Sequence, residues 1–103
     1  MNYNILTIKS QEVLQQAFTI AAANTNQAVE NGHLLKSIQE NASDVLSFVF
    51  GKSGINQNTV SQVLERIISS YPKVSGGDAY LSNAATRTFT KAELQAKSMG
   101  DEY

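Results

Sequence analysis

The chain has 103 residues and is too short for two hydrophobic cores. Its residues are 42% hydrophobic and 17% charged, a composition typical of a folded domain. Its net charge is −1 and its basic residues are scattered singly, which argues against nucleic-acid binding. Cysteine is absent, so disulfides and thiolate metal sites are excluded. With no bilayer-length apolar run and no signal-peptide pattern, we expect a cytoplasmic protein without membrane contact.

The first part of the chain predicts four helices. Thr7 is the expected N-cap of the first, whose apolar stripe is formed by Val13, Leu14, Ala17, Phe18 and Ala21. The second and third are short and carry Leu34, Leu35 and Ile38, then Val45, Leu46, Val49 and Phe50. Asn56 is the expected N-cap of the fourth, whose stripe consists of Val60, Val63, Leu64, Ile67 and Ile68.

A linker over residues 71–81 separates these helices from a fifth. It contains the only proline, Pro72, and the pair Gly76-Gly77, which no strand precedes and no Lys-Ser/Thr follows, as a phosphate-binding loop would require. Ser82 is the expected N-cap of the fifth helix, whose stripe is Ala85, Phe89, Ala92, Ala96 and Met99. No strand-like alternation is long enough to count, so the sequence predicts an all-α fold.

The first and fifth predicted helices match when Ser82 is aligned with Thr7. Ala92 then falls on Ala17, Ala96 on Ala21 and Phe89 on Leu14. This register predicts a first four-helix repeat over residues 1–70 and a second repeat, residues 82–103, that holds only its first helix. We expect this helix to lack its covering helices and to self-associate with a second copy through residues 82–103. The alternatives are folding back onto the first four helices, or fraying.

Four segments in register resemble one known family. They are Leu6–Glu12, Ala28–Leu35, Tyr71–Gly77 and Met99–Tyr103, and they resemble the Clp N-terminal domain, most closely that of ClpB-type disaggregases. The resemblance implies two four-helix pseudo-repeats, of which the second is truncated here. Family members often have proline after the acidic residue before the His-Leu-Leu helix. Asn31 follows Glu30 here, so helix entry depends more on capping.

The resemblance also implies a function. A non-catalytic N-terminal module would capture unfolded or aggregated polypeptide and present it to the AAA+ domains of a hexameric ATPase. The alternative is a stand-alone or regulatory domain that docks adaptors or a Clp ATPase or protease. A hydrolytic enzyme is a distant third hypothesis, since no G-x-S-x-G elbow accompanies the single histidine. No G-x-x-x-x-G-K-[ST] motif occurs, and we expect neither a cofactor nor a metal.

Candidate polypeptide-binding residues are Thr7, Ser82, Leu94 and Asp101. The resemblance implies that Thr7, Ser82 and Asp101 border a groove between the repeats, beyond the capping roles of the first two. Leu94 lies off the stripe of the fifth helix, where it either packs against another helix or is an exposed apolar contact. His33, the only histidine, is expected to be structural, since one histidine cannot anchor a metal site.

Overall fold

The computed structural model describes residues 3–41, 43–74 and 76–100. Five helices and two short strands follow one another along the chain: α1 (Tyr3–Ala23), β1 (Ala28–Val29), α2 (Asn31–Asn41), α3 (Ser43–Ser53), α4 (Gln57–Ser69), β2 (Tyr80–Leu81) and α5 (Asn83–Gly100). The structure is mostly helical and confirms the all-α fold class. The boundaries at residues 70 and 82, and the division into repeats, stay predictions.

The first helix begins earlier than the sequence indicated. Because α1 starts at Tyr3, Thr7 lies inside the helix and is not its N-cap, so the capping role predicted for Thr7 is wrong. A threonine followed by an apolar stripe fits a cap and a helix interior equally well, and the local pattern does not separate the two.

Two strands of two residues each were not predicted. β1 and β2 pair in parallel, with Ala28 opposite Tyr80 and Val29 opposite Leu81. A pair this short has no alternation to detect, since its hydrogen bonds depend on where α1 and α4 leave the two segments. The pair therefore connects the segment that follows α4, which contains β2, to the segment that follows α1, which contains β1.

The core lies where α1, α2 and α5 meet. It consists of Ala17, Ala21, Val29, Leu34 and Ala85, with Leu14, Phe18 and Leu81 packed against it. Because alanines of both α1 and α5 lie in this cluster, the two helix backbones approach closely there. Helix α5 therefore folds back onto the first helices through its first turns.

The predicted stripe of α5 is buried only at its beginning. Ala85 is fully buried, Phe89 is half-buried and Ala92 is exposed, so the buried part of the stripe ends within the first turns of α5. The side chains of Ala96 and Met99 lie outside the described residues. Pairing of α5 with a second copy stays a prediction for the exposed part of this helix.

The predicted stripe of α4 is divided between two environments. Leu64 and Ile68 are buried, whereas Val63 and Ile67 are each 43% exposed. At about 100° per residue, Val63 and Ile67 lie on one flank of the stripe and Leu64 and Ile68 on the other. Helix α2 covers only the second flank, so the first remains open to solvent.

Candidate functional site

Ser82 caps α5, as the sequence predicted. Its Oγ accepts a hydrogen bond from the backbone N–H of Ala85 over 3.0 Å. Its carbonyl accepts from Thr86 N–H over 2.8 Å, and its own N–H donates to the carbonyl of Val29 over 2.9 Å. The residue is buried, and its polar groups are occupied in joining β1 to the start of α5.

Of the other predicted site residues, the structure places the side chain of Leu94 alone, and it lies far from Ser82. Leu94 is 63% exposed, and its role as an apolar contact stays a prediction. It lies about 18 Å farther along α5, at about 1.5 Å per residue, and therefore cannot share one small site with Ser82. Thr7 lies in α1, and Asp101 lies outside the described residues. Their binding role stays a prediction.

An apolar groove between α2 and α4 was not predicted as a site. Its volume is about 230 Å³, and it is lined by Leu35, Thr59, Val60, Val63, Leu64 and Ile67. The β-branched run of α4 was visible in the sequence, where its spacing indicated core. Only the position of α2 shows that one flank of that run forms the wall of an open groove.

Polar contacts beside the groove hold α2 and α4 together. Lys36 Nζ pairs with Glu65 Oε1 over 2.6 Å, and Gln39 Nε2 donates to Ser61 Oγ over 3.4 Å. The ion pair is partly exposed and contributes at most about 1 kcal/mol to stability. Its charges neutralise each other, so the groove presents apolar surface without a net charge at this edge.

Further apolar side chains are exposed on α3 and in the turn before α4. They are Phe48, Val49 and Ile55. The turn is a Schellman motif in which Gly54 takes φ +70 and Ile55 N–H donates to the carbonyl of Phe50 over 3.0 Å. This motif holds Ile55 at the end of α3, where its side chain reaches solvent.

His33 has the structural role that the sequence predicted. Its ring is fully buried, Nδ1 accepts from the backbone N–H of Glu30 over 2.8 Å, and Nε2 lies 2.9 Å from Asn26 Oδ1. Glu30 immediately precedes α2, so His33 makes one of the two bonds of a capping box, from its third-position side chain back to the N-cap N–H. This contact supplies the capping on which helix entry was expected to depend. Burial lowers the pKa of His33, an effect that the carboxylate of Glu30 opposes and Lys36 reinforces.

The ring of Tyr71 packs against the imidazole of His33. The two ring centroids are 5.0 Å apart with the planes tilted by 52°. The Tyr71 hydroxyl accepts from the backbone N–H of Gly32 over 3.2 Å. Burial raises the pKa of Tyr71, partly offset by that hydrogen bond, so the phenol is neutral at physiological pH.

Within residues 3–41, 43–74 and 76–100, no group of three or more His, Asp or Glu side chains is placed to hold a metal ion. In the same part of the chain, no helix has the length and apolarity that crossing a membrane requires.

The described part of the chain is a mostly helical domain, with His33 buried at the start of α2 and an apolar groove open between α2 and α4. The chain belongs to the Clp N-terminal domain family, since the profile described as "Clp repeat (R) N-terminal domain" matches residues 5–103. This domain is a non-catalytic part of ClpB chaperones. The assignment confirms the resemblance carried by the four sequence segments.

Several curated relatives are ClpB chaperones. Chaperone protein ClpB of Bacteroides thetaiotaomicron is 41% identical over 103 residues, and that of Porphyromonas gingivalis is 39% identical over 103 residues. Both matches cover 100% of this chain. Chaperone protein ClpB of Corynebacterium efficiens is 31% identical over 100 residues, which cover 94% of this chain. The chain spans only 12% of the length of each relative. No solved structure matches the chain.

Proposed function

We propose that the chain is the N-terminal substrate-binding domain of a ClpB-type, ATP-dependent disaggregase and captures unfolded or aggregated polypeptide for its AAA+ ring. The observation that carries this proposal is the open apolar groove between α2 and α4, with Val63 and Ile67 exposed on its wall. Similarity to ClpB chaperones over the whole chain supports it. ATP hydrolysis, hexamer formation and a cytoplasmic location belong to the same proposal, for the longer protein.

The groove suits unfolded chains better than one folded partner. Aliphatic walls attract apolar side chains without fixing their direction, so sequence is read only coarsely. The volume of about 230 Å³ accommodates one or two side chains and not a drug-sized ligand. Binding limited to a few side chains is weak, which allows a captured segment to pass onward.

Substitutions on the groove wall test the proposal. Reduced, carboxymethylated α-lactalbumin serves as a permanently unfolded probe, and its Kd is measured by fluorescence anisotropy. Val63→Ser and Ile67→Ser each remove apolar contact with the bound chain. The loss should weaken binding by about 1 kcal/mol and so raise Kd about fivefold. Gln62→Ser, at an exposed position on the opposite side of α4, is the matched control and should leave Kd unchanged.

Circular dichroism must show that all variants remain helical. Unchanged affinity in both groove variants would refute binding at this groove. A loss of affinity in Leu94→Ser instead would move the site to α5.

A further inference from the structure

The chain after α4 is fastened along the end of α1 and strand β1. We name residues 71–74 and 76–82 the strap. Three backbone N–H groups of the strap donate to carbonyls of the preceding segment over 2.9, 3.1 and 2.9 Å: Val74 to Thr25, Tyr80 to Gln27 and Ser82 to Val29. The Asn26 side chain adds a bond from Nδ2 to the carbonyl of Pro72 over 3.1 Å. The strap leads directly into α5, so these bonds also hold the beginning of that helix.

His33 is buried next to these hydrogen bonds and contacts both the strap and the segment to which the strap is bonded. Its Nε2 is 2.9 Å from the Oδ1 of Asn26, the side chain that holds Pro72, and its ring faces Tyr71 of the strap. Since Nδ1 accepts from Glu30 N–H, the hydrogen must be on Nε2, where it donates to Asn26. Only the neutral imidazole satisfies both contacts.

Charged and titratable groups around the ring come from each neighbouring element. Glu30, before α2, favours a cationic ring, and Lys36 of α2 disfavours it. Lys36 is itself paired with Glu65 of α4. In the strap, Tyr71 is neutral below pH 7, and Lys73 Nζ donates to the carbonyl of Asn24 over 2.8 Å. Burial outweighs Glu30, which is why the pKa of His33 is lowered.

We propose that His33 is an acid-sensitive latch, whose protonation releases the strap from residues 25–29 and frees the start of α5. A proton on Nδ1 replaces the acceptor of the Glu30 N–H bond with a donor, so two donors face each other. It also places a charge in a fully closed site. Both penalties are relieved when Tyr71 and Asn26 move away from the His33 ring and the ring becomes exposed to water. That separation removes the bonds that hold the strap.

The direction of the pH dependence follows from the lowered pKa. In the open state His33 titrates near its ordinary value of 6.5, whereas in the closed state it takes up a proton only at lower pH. The open state therefore binds more protons below pH 6.5, and opening increases by up to about tenfold per pH unit until the closed-state pKa is reached. His33 is the only histidine, and histidine is the side chain whose unperturbed pKa lies between pH 5 and 7.

Amide hydrogen exchange of the 103-residue chain, followed by NMR at pH 7 and pH 5, tests the latch. After correction for intrinsic exchange rates, the opening of the Val74, Tyr80 and Ser82 amides should increase between about threefold and thirtyfold. The amides of Ala17 and Ala21, inside α1, should change less than about twofold. Unchanged strap amides would overturn the proposal. An equal increase in α1 would also overturn it, since that pattern means global unfolding.

His33→Gln is the matched variant, because glutamine at this position supplies an uncharged oxygen to the Glu30 N–H, as in a standard capping box. In this variant the strap amides should remain protected from hydrogen exchange at pH 7. Their opening should no longer change between pH 7 and pH 5. The same dependence in the variant would contradict a role for His33. If the variant does not fold, an NMR pH titration of the His33 imidazole in the unmodified chain tests the proposal instead. A titration midpoint at or above pH 6.5 would rule the latch out.

Discussion

The backbone N–H of Gly32 donates to the hydroxyl of Tyr71 over 3.2 Å, which joins the first turn of α2 to the chain just after α4. The contact is close because Gly32 has no side chain. A methyl group added there would lie 2.6 Å from the Tyr71 hydroxyl oxygen and 3.3 Å from a side-chain carbon of Ile68. The tyrosine that covers His33 therefore depends on glycine at position 32.

Gly32→Ala should lower the free energy of unfolding by about 1–3 kcal/mol, because Tyr71 must move to admit the methyl group. Gly51→Ala is the matched control. Gly51 lies within α3 and no atom approaches the position of an added methyl within 4 Å, so alanine there should stabilise by about 0.5–1 kcal/mol. Urea denaturation measures both. A neutral Gly32→Ala would show that Tyr71 moves aside at no cost.

Leu64→Ala should destabilise by about 2–5 kcal/mol, since Leu64 is only 4% exposed and faces α2. Ile67 belongs to the same predicted stripe, and equal burial would give it a similar loss. Its 43% exposure in the structure reduces the expected loss for Ile67→Ala to about 1 kcal/mol or less. Lys91→Ala, at an exposed position of α5, should change stability by no more than about 0.5 kcal/mol. Equal losses at Leu64 and Ile67 in thermal or urea unfolding would contradict the division of the α4 stripe.

Thr25→Gly should stabilise the domain by about 0.5–1 kcal/mol. Thr25 has φ 56, a left-handed conformation that a β-branched residue rarely adopts. The conformation ends α1 in a Schellman motif, with Asn26 N–H donating to the carbonyl of Ala21 over 2.8 Å and Thr25 N–H to Ala22 over 3.0 Å. Gly54→Ala, at the equivalent position after α3, should have the opposite sign. A destabilised Thr25→Gly variant would mean that the threonine side chain makes a contact worth more than the strain.

Self-association through residues 82–103 is testable at Leu94, which is 63% exposed on α5. Burying large apolar side chains between two copies favours association by roughly 1.5–3 kcal/mol for each side chain fully covered. We expect multi-angle light scattering to show a concentration-dependent dimer for the unmodified chain and a monomer for Leu94→Lys. Lys91→Ala serves as the control on the same helix and should not alter the dimer. A monomer at all concentrations for the unmodified chain would contradict self-association, and protected amides in α5 would then distinguish folding back from fraying.

Several features could be read directly from the sequence because they depend on residues close together in the chain. The helical period of α4 and the caps Asn56 and Ser82 are of this kind, since an N-cap side chain bonds a backbone N–H three residues later. The segments that resemble the Clp N-terminal domain are also local, and the family assignment confirmed them.

The remaining features depend on which elements meet. Val63 and Leu64 are adjacent and belong to one stripe, yet only one of them is buried, because α2 covers a single flank of α4. Likewise, the β1–β2 pair and the contacts of His33 with Asn26 and Tyr71 join segments that periodicity does not relate. Burial and long-range hydrogen bonds are fixed by the placement of neighbouring elements, and so the groove and the strap emerged only from the tertiary structure.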